Sequence, residues 1–261
     1  MRGNQKNKDY KAQWTPQFAY AIGLLTTDGN LSKDGRHIEF TSKDIQLVKT
    51  FRKCISLTNV KIGTKTSGTT DKKYFHIQFS NVILYKKLLE IGLTPNKSKT
   101  LRELKIPNKY FFDFLRGHLD GDGCYYSYWD KRWNSSFMFY TVFTSASEQH
   151  INWLHENIKK LINIEGSISE NRNRDLWQLR YAKNSSKAII KKIYYKKNLP
   201  CLKRKYIKLK NILKIDDKEN CKNNADVAQL ARRTGLRLLG DFSPCGFESH
   251  RPHFLDLSKT K

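Results

Sequence analysis

Residues 21–29 read "AIGLLTTDG" and residues 115–123 read "LRGHLDGDG". Each closes an apolar stretch of helical spacing on Asp-Gly, and each carries a glycine five positions before that aspartate: Gly23 before Asp28, Gly117 before Asp122. A single Asp-Gly at a helix end reads as a cap and turn. Two in matching surroundings ask for a common reason. Small residues let helices approach closely, so Gly23 and Gly117 are expected to form a helix-helix interface that brings both aspartates to one end. Two carboxylates at the negative ends of two helix dipoles repel one another and their surroundings. Divalent cations would reverse that penalty, since carboxylate, water and phosphate oxygens are hard ligands for Mg²⁺.

Outward from the two stretches, one order of elements occurs twice. Thr15 as N-cap and Pro16 at the first helical position open a helix that Gly29 stops. "RHIEFTS" and "KKYFHIQFS" alternate as strands around a helical "KDIQLVKTFRKCISL", with "NVILYKKLLEIGL" as a closing helix. From residue 110 the pattern returns: helix "KYFFDFLRGHLDGDG", strands "CYYSYWD" and "SSFMFYTVFTS", helix "SEQHINWLHENIKKLI", strands "GSISE" and "LWQLRYA", helix "SSKAIIKKIYYKK". The expected class is α+β, built from two repeats of this order, residues 14–94 and 110–215. The proline-containing, charged stretch 95–109 reads as a linker between them.

The bulk charge narrows the partner. Forty-nine Lys and Arg against 24 Asp and Glu leave a formal charge of +25 in 261 residues, the footprint of a polyanion binder. Aromatic residues make up 12% of the chain, which sets it apart from a disordered basic tail. No run is long and apolar enough for a membrane span, and "MRGNQKNKDYKAQW" lacks the apolar stretch of a signal peptide, so a soluble intracellular protein is expected, in a bacterial cytoplasm or an organelle. Five cysteines, with no C-x-x-C pair, argue against a disulfide framework or a structural zinc.

The two stretches resemble the paired motifs of the LAGLIDADG homing endonucleases, and "KSKTLRELKIP", "FFDFLRGHLDGDG" and "LKRKYIKL" look like further segments of that family. The resemblance covers about residues 14–213. It implies a monomeric, pseudo-twofold protein of two αββαββα repeats, with motif helices at the interface and an antiparallel β saddle for double-stranded DNA. The last motif aspartate of each repeat, Asp28 and Asp122, is then metal ligand and active-site acid, with Mg²⁺ or Mn²⁺ as cofactor. The other motif acid is Asp120 in repeat two and Thr26 in repeat one, which assigns Asp120 a structural role. His118, inside the second motif, is expected to be structural as well.

The family often carries a basic residue after the second strand, and "FTSKD" supplies Lys43 where "FTSAS" has Ala146. Lys43 is either a catalytic group or a solvated lysine at a helix start; a lone catalytic Lys43 implies unequal cleavage of the two strands. Lys97 and the "KRKY" run at 203–206 resemble basic family positions too, with surface solvation and phosphate contact as their expected role. Base reading should fall to alternating strand residues: His37, Glu39, His76 and Gln78 in repeat one, Tyr126, Tyr128, Lys131, Arg132, Gln178 and Arg180 in repeat two. An intron-encoded maturase acting on intron RNA, or a non-cleaving DNA-binding protein, are the alternatives on the same scaffold.

Past about residue 222 the composition turns from Lys, Asn, Ile and Tyr to Arg, Leu and Gly. Phe247, Glu248 and Ser249 can be encoded by TTC GAA TCC, which resembles the T-loop of a transfer RNA gene, and Ala228, Gln229 and Leu230 by GCT CAA TTG, resembling its D-arm. The tail, residues 216–261, therefore reads as disordered, as a small appended domain, or as a frame running through a neighbouring transfer RNA gene. No function is assigned to it.

Overall fold

The computed structural model describes residues 10, 12–67, 70–132 and 136–234. Its elements run α1 (Pro16–Asp28), β1 (Gly29–Leu31), β2 (His37–Ser42), α2 (Ile45–Cys54), β3 (Gly63–Ser67), β4 (Thr70–Ser80) and α3 (Val82–Ile91). The order then repeats as α4 (Phe111–Gly121), β5 (Cys124–Trp129), β6 (Phe137–Ser145), α5 (Glu148–Ile162), β7 (Ser167–Asn171), β8 (Leu176–Tyr181) and α6 (Lys183–Ile193), followed by α7 (Lys203–Thr234). Each repeat folds one four-stranded antiparallel sheet with the same topology, β1-β2-β4-β3 and β5-β6-β8-β7. The fold is the α+β, two-repeat arrangement expected.

Two strands of repeat one escape a pattern reading. β1 is three residues long, too short to show alternation. β3, "GTKTS", has no apolar residue because it lies at the edge of its sheet, where polar side chains discourage pairing with another chain.

Each sheet turns one face to its helices. In repeat one Ile38 and Phe40 of β2 point inward, and Phe40 stacks on Phe51 of α2 with centroids 4.5 Å apart. In repeat two Phe143 and Leu179 form the equivalent floor beneath Ile151, Leu154 and Ile158 of α5. The period of two on the strands and 3.6 on the helices thus closes two small apolar cores.

The repeats join through α1 and α4. Thr15 caps α1 by accepting the Phe18 amide at 3.0 Å, with Pro16 at the first position. From Phe18 to Thr26 every residue of α1 is buried, so it is covered on all sides, as a helix inside a protein must be. At the other end of the seam Trp14 stacks on Tyr110 just before α4. Between them the backbones touch: a Cβ built on Gly117 would lie 2.1 Å from the Tyr20 carbonyl oxygen, and one on Gly23 2.2 Å from that of Phe114. No side chain fits at either place.

Residues 95–109 are more than a linker. Leu101 and Leu104 are buried, Ser147 donates to the Leu101 carbonyl, and Nδ1 of His150 lies 3.0 Å from the Arg102 carbonyl. Arg116, fully buried in α4, donates to the carbonyls of Ile193 and Pro200 and pairs with Asp113 at 2.7 Å. It thereby ties the chain leaving α6 to the seam.

By internal contacts, Met1–Ile212 forms one unit and Leu213–Lys261 a second. In the second, α7 continues helically through residue 216 to Thr234. Residues 235–261, including the stretch Phe247–Ser249 of the transfer RNA reading, lie outside the described residues.

The seam sets the first expected outcome. Gly117→Ala forces a methyl group against backbone, not against a side chain that can swing away, and should cost ~3 kcal/mol. Chemical denaturation of the two proteins measures the difference.

Candidate active site

Asp28 is the last residue of α1 and Asp122 the first after α4, so the seam delivers both to its end. They feel one another. Burial pushes the Asp28 carboxyl up to about 7, with the charge of Asp122 as the next contribution, against the pull of Lys205 and Lys97. Asp122 reaches solvent at its surface, yet the protein packed around it also raises its carboxyl, again opposed by Lys205 and Lys97. Among the described residues no protein group donates a hydrogen bond to either carboxylate.

The opposing charges come from two buried lysines. Lys97, 7% exposed, follows α3 and donates to the carbonyl of Gly29, the residue after Asp28. Lys205, 8% exposed, sits in the first turn of α7 and donates to the carbonyls of Leu119, Asp120, Gly121 and Gly123 at 2.6–2.9 Å. Each thus answers the negative end of one motif helix. Desolvation lowers both to about 8, while the neighbouring aspartates hold them up.

This corrects the expectation of surface solvation for both residues. Lys205 was indistinguishable from Lys203 and Arg204 as part of a basic run. The missed signal is periodicity: Leu202, Lys205, Leu209 and Ile212 are all buried, a stripe at helical spacing with a lysine in it.

Lys43 is placed elsewhere. It is exposed, its ammonium lies 5.4 Å from the centroid of the Tyr74 ring, and neither Asp28 nor Asp122 registers its charge. Asp120, 1% exposed, accepts the Tyr20 hydroxyl and the Leu202 amide through Oδ2, both at 2.8 Å. Thr26, at the corresponding place in α1, turns back to the Ile22 carbonyl at 2.8 Å. His118 is buried against His150 with ring centroids 5.3 Å apart, and burial holds its imidazole well below the usual range.

The outer faces of the two sheets differ in chemistry. Repeat one presents His37, Glu39, His76 and Gln78, with Lys65 donating to Glu39 at 2.7 Å. Repeat two presents Tyr126, Tyr128 and Tyr140 in offset stacks with centroids 5.1–6.3 Å apart. Gln178 and Arg180 share that face, bonded to one another at 2.6 Å, whereas Arg132 is exposed in the β5–β6 connection and forks onto Asp130.

No family model matches the sequence, and no curated protein matches it. Solved structures do. The homing endonuclease I-WcaI, solved bound to its DNA recognition sequence, superposes with a TM-score of 0.55 at 16% identity over 80% of this chain and 94% of that one. Full-length DUF199/WhiA from Thermatoga maritima gives a TM-score of 0.50 at 15% identity over 85% of this chain and 70% of its own. The chain thus shares the two-repeat α+β fold of these structures. Specifically, the chain has the LAGLIDADG homing-endonuclease fold in its single-chain form.

Among the described residues no three His, Cys, Asp or Glu side chains come together. Two carboxylates free of protein donors fit Mg²⁺ or Mn²⁺, ions that take one or two carboxylates and fill the remaining positions with water and phosphate oxygen.

The raised carboxyl gives a signed expectation. A carboxylate whose folded value is lifted from 3.8 to about 7 costs stability above the higher value and nothing below the lower one. In metal-free buffer Asp28→Asn should therefore unfold at a higher temperature than wild type at pH 8, each kcal/mol of relieved penalty moving Tm by roughly 2–4 °C. The advantage should shrink as pH falls from 7 towards 3.8. Added Mg²⁺ should raise the Tm of wild type and not that of the Asp28→Asn, Asp122→Asn double variant.

Proposed function

We propose that the protein is a site-specific double-stranded DNA endonuclease, acting as a monomer whose repeats, 14–94 and 110–215, each meet half of a duplex site. The observation that carries this reading is the carboxylate pair at the end of the seam, held unpaired beside two buried lysines. A pair left in that state costs stability, and its use is to bind cations that the substrate's phosphates help to hold.

Asp28 and Asp122 would hold the Mg²⁺ ions, which supply an activated water and stabilise the leaving oxygen. Lys97 spends one proton on Gly29 and keeps two for a phosphate oxygen or a water of the site. Lys205, shared among four carbonyls, contributes fixed positive charge. The charge of +25 draws the duplex in, and binding should weaken steeply with salt. The outer sheet faces read the major groove, Gln178 and Arg180 by hydrogen bonds and the tyrosines by hydroxyl and ring edge.

The test is cleavage, with Mg²⁺ and end-labelled strands, of a duplex that the purified protein selects from a randomised library. Asp28→Asn and Asp122→Asn should each abolish cleavage while retaining binding, Lys97→Met should slow it by roughly a hundredfold, and Lys43→Ala should leave the rate within twofold. Full cleavage by either Asn variant removes the metal assignment. Absence of cleavage by wild type, with tight binding of its own intron RNA, replaces the reading with a maturase.

A further inference from the structure

Asp120 and Lys205 make reciprocal contacts between two helix ends. The C-terminal end of α4 exposes carbonyls with no intrahelical partner, and Lys205 of α7 fills them with its ammonium. The start of α7 exposes amides with no intrahelical partner, and the Asp120 carboxylate of α4 accepts the one on Leu202. A cation thus faces the negative end of one helix and an anion the positive end of the other, so both dipoles favour the same docking.

Tyr20 of α1 donates to the same Asp120 oxygen, which ties the clasp to the first repeat. Among the described residues repeat one shows no equivalent: Thr26 bonds within its own helix, and Lys97 has a single backbone acceptor. The conformation of Lys205 depends on where α7 begins, and two sides hold that point. Asp120 accepts the Leu202 amide from within, while at the surface Gln46 accepts the Lys203 amide and donates to the Cys201 carbonyl and Asp44 accepts from Arg204. Of these only Asp120 belongs to the helix whose carbonyls Lys205 fills. Arg116, holding the carbonyls of Ile193 and Pro200, steers the chain up to that point but makes no bond to residues 201–205.

We propose that Asp120 is a positioning residue of the nuclease site: by clamping the Leu202 amide it seats Lys205 in its cage of carbonyls beside Asp28 and Asp122. This rests on the endonuclease reading for its catalytic consequence, and on the hydrogen-bond geometry alone for its structural one. The role is distinct from simple packing, because its effect on cleavage runs through Lys205.

A double-mutant cycle on the full chain tests it, using the duplex that wild type selects. Asp120→Ala should lower the single-turnover cleavage rate roughly tenfold, as loss of a supporting partner does, with the duplex Kd within twofold of wild type. In a Lys205→Met background the same substitution should change the rate no further. Asp120→Asn, which keeps an acceptor oxygen, should retain more activity than Asp120→Ala. Multiplicative losses in the double variant overturn the proposal.

Hydrogen exchange separates this from failure of the nuclease reading. Whether or not wild type cleaves, the amides of Leu202 and Tyr206 should exchange faster in Asp120→Ala while those of β6 keep their protection. Unchanged protection at Leu202 and Tyr206 refutes the clamp. If β6 also loses protection, the fold has failed, and the exchange comparison is made on Asp120→Asn, where a protected β6 with both amides as slow as wild type's counts for the clamp and faster exchange at either counts against it.

Discussion

Two backbone carbonyls, those of Tyr20 and Phe114, occupy the space where Gly117 and Gly23 would carry side chains. Most of the architecture follows from that contact. It permits α1 to be buried along nine consecutive residues, since only another helix at backbone distance covers it so closely. It fixes the two helix ends side by side, and with them Asp28 and Asp122. The sheets of the two repeats grow directly out of those ends, β1 from Gly29 and β5 from Cys124, so their outer faces are set by the same contact.

What arrives at the end of the seam is electrostatically unfavourable. Two helix termini of negative sign meet two carboxylates, and the protein answers with lysines aimed at the carbonyls instead of at the acids. The helix ends are satisfied while the carboxylates are left for something else. Such a site is stabilised less than its surroundings allow, a frequent mark of sites kept for function.

Much of the fold was legible because the chain writes one pattern twice, once in each repeat. Helical spacing in α1 and α4, alternation in β2, β4 and β6, and Asp-Gly stops all follow local rules. β1 and β3 were not legible, one for shortness and the other because an edge strand has little to bury. For the site, the aspartates stood out through their pairing with glycines, whereas the lysines were lost among 49 basic residues. Only tertiary placement distinguishes Lys205 from its neighbours, and only burial distinguishes Lys97 from a linker residue. Lys43, the one basic residue that position after a strand did single out, lies over Tyr74.

The clasp between α4 and α7 also has a temporal side. Both aspartates, both sheets and Lys97 are encoded before residue 182, yet Lys205 comes from α7, after both sheets are complete. During synthesis the two repeats can dock through their glycines while the Leu119–Gly123 carbonyls still lack their cation. The centre acquires its full set of charges only when the beginning of α7 has emerged, so its completion comes after the docking of the two motif helices has become possible.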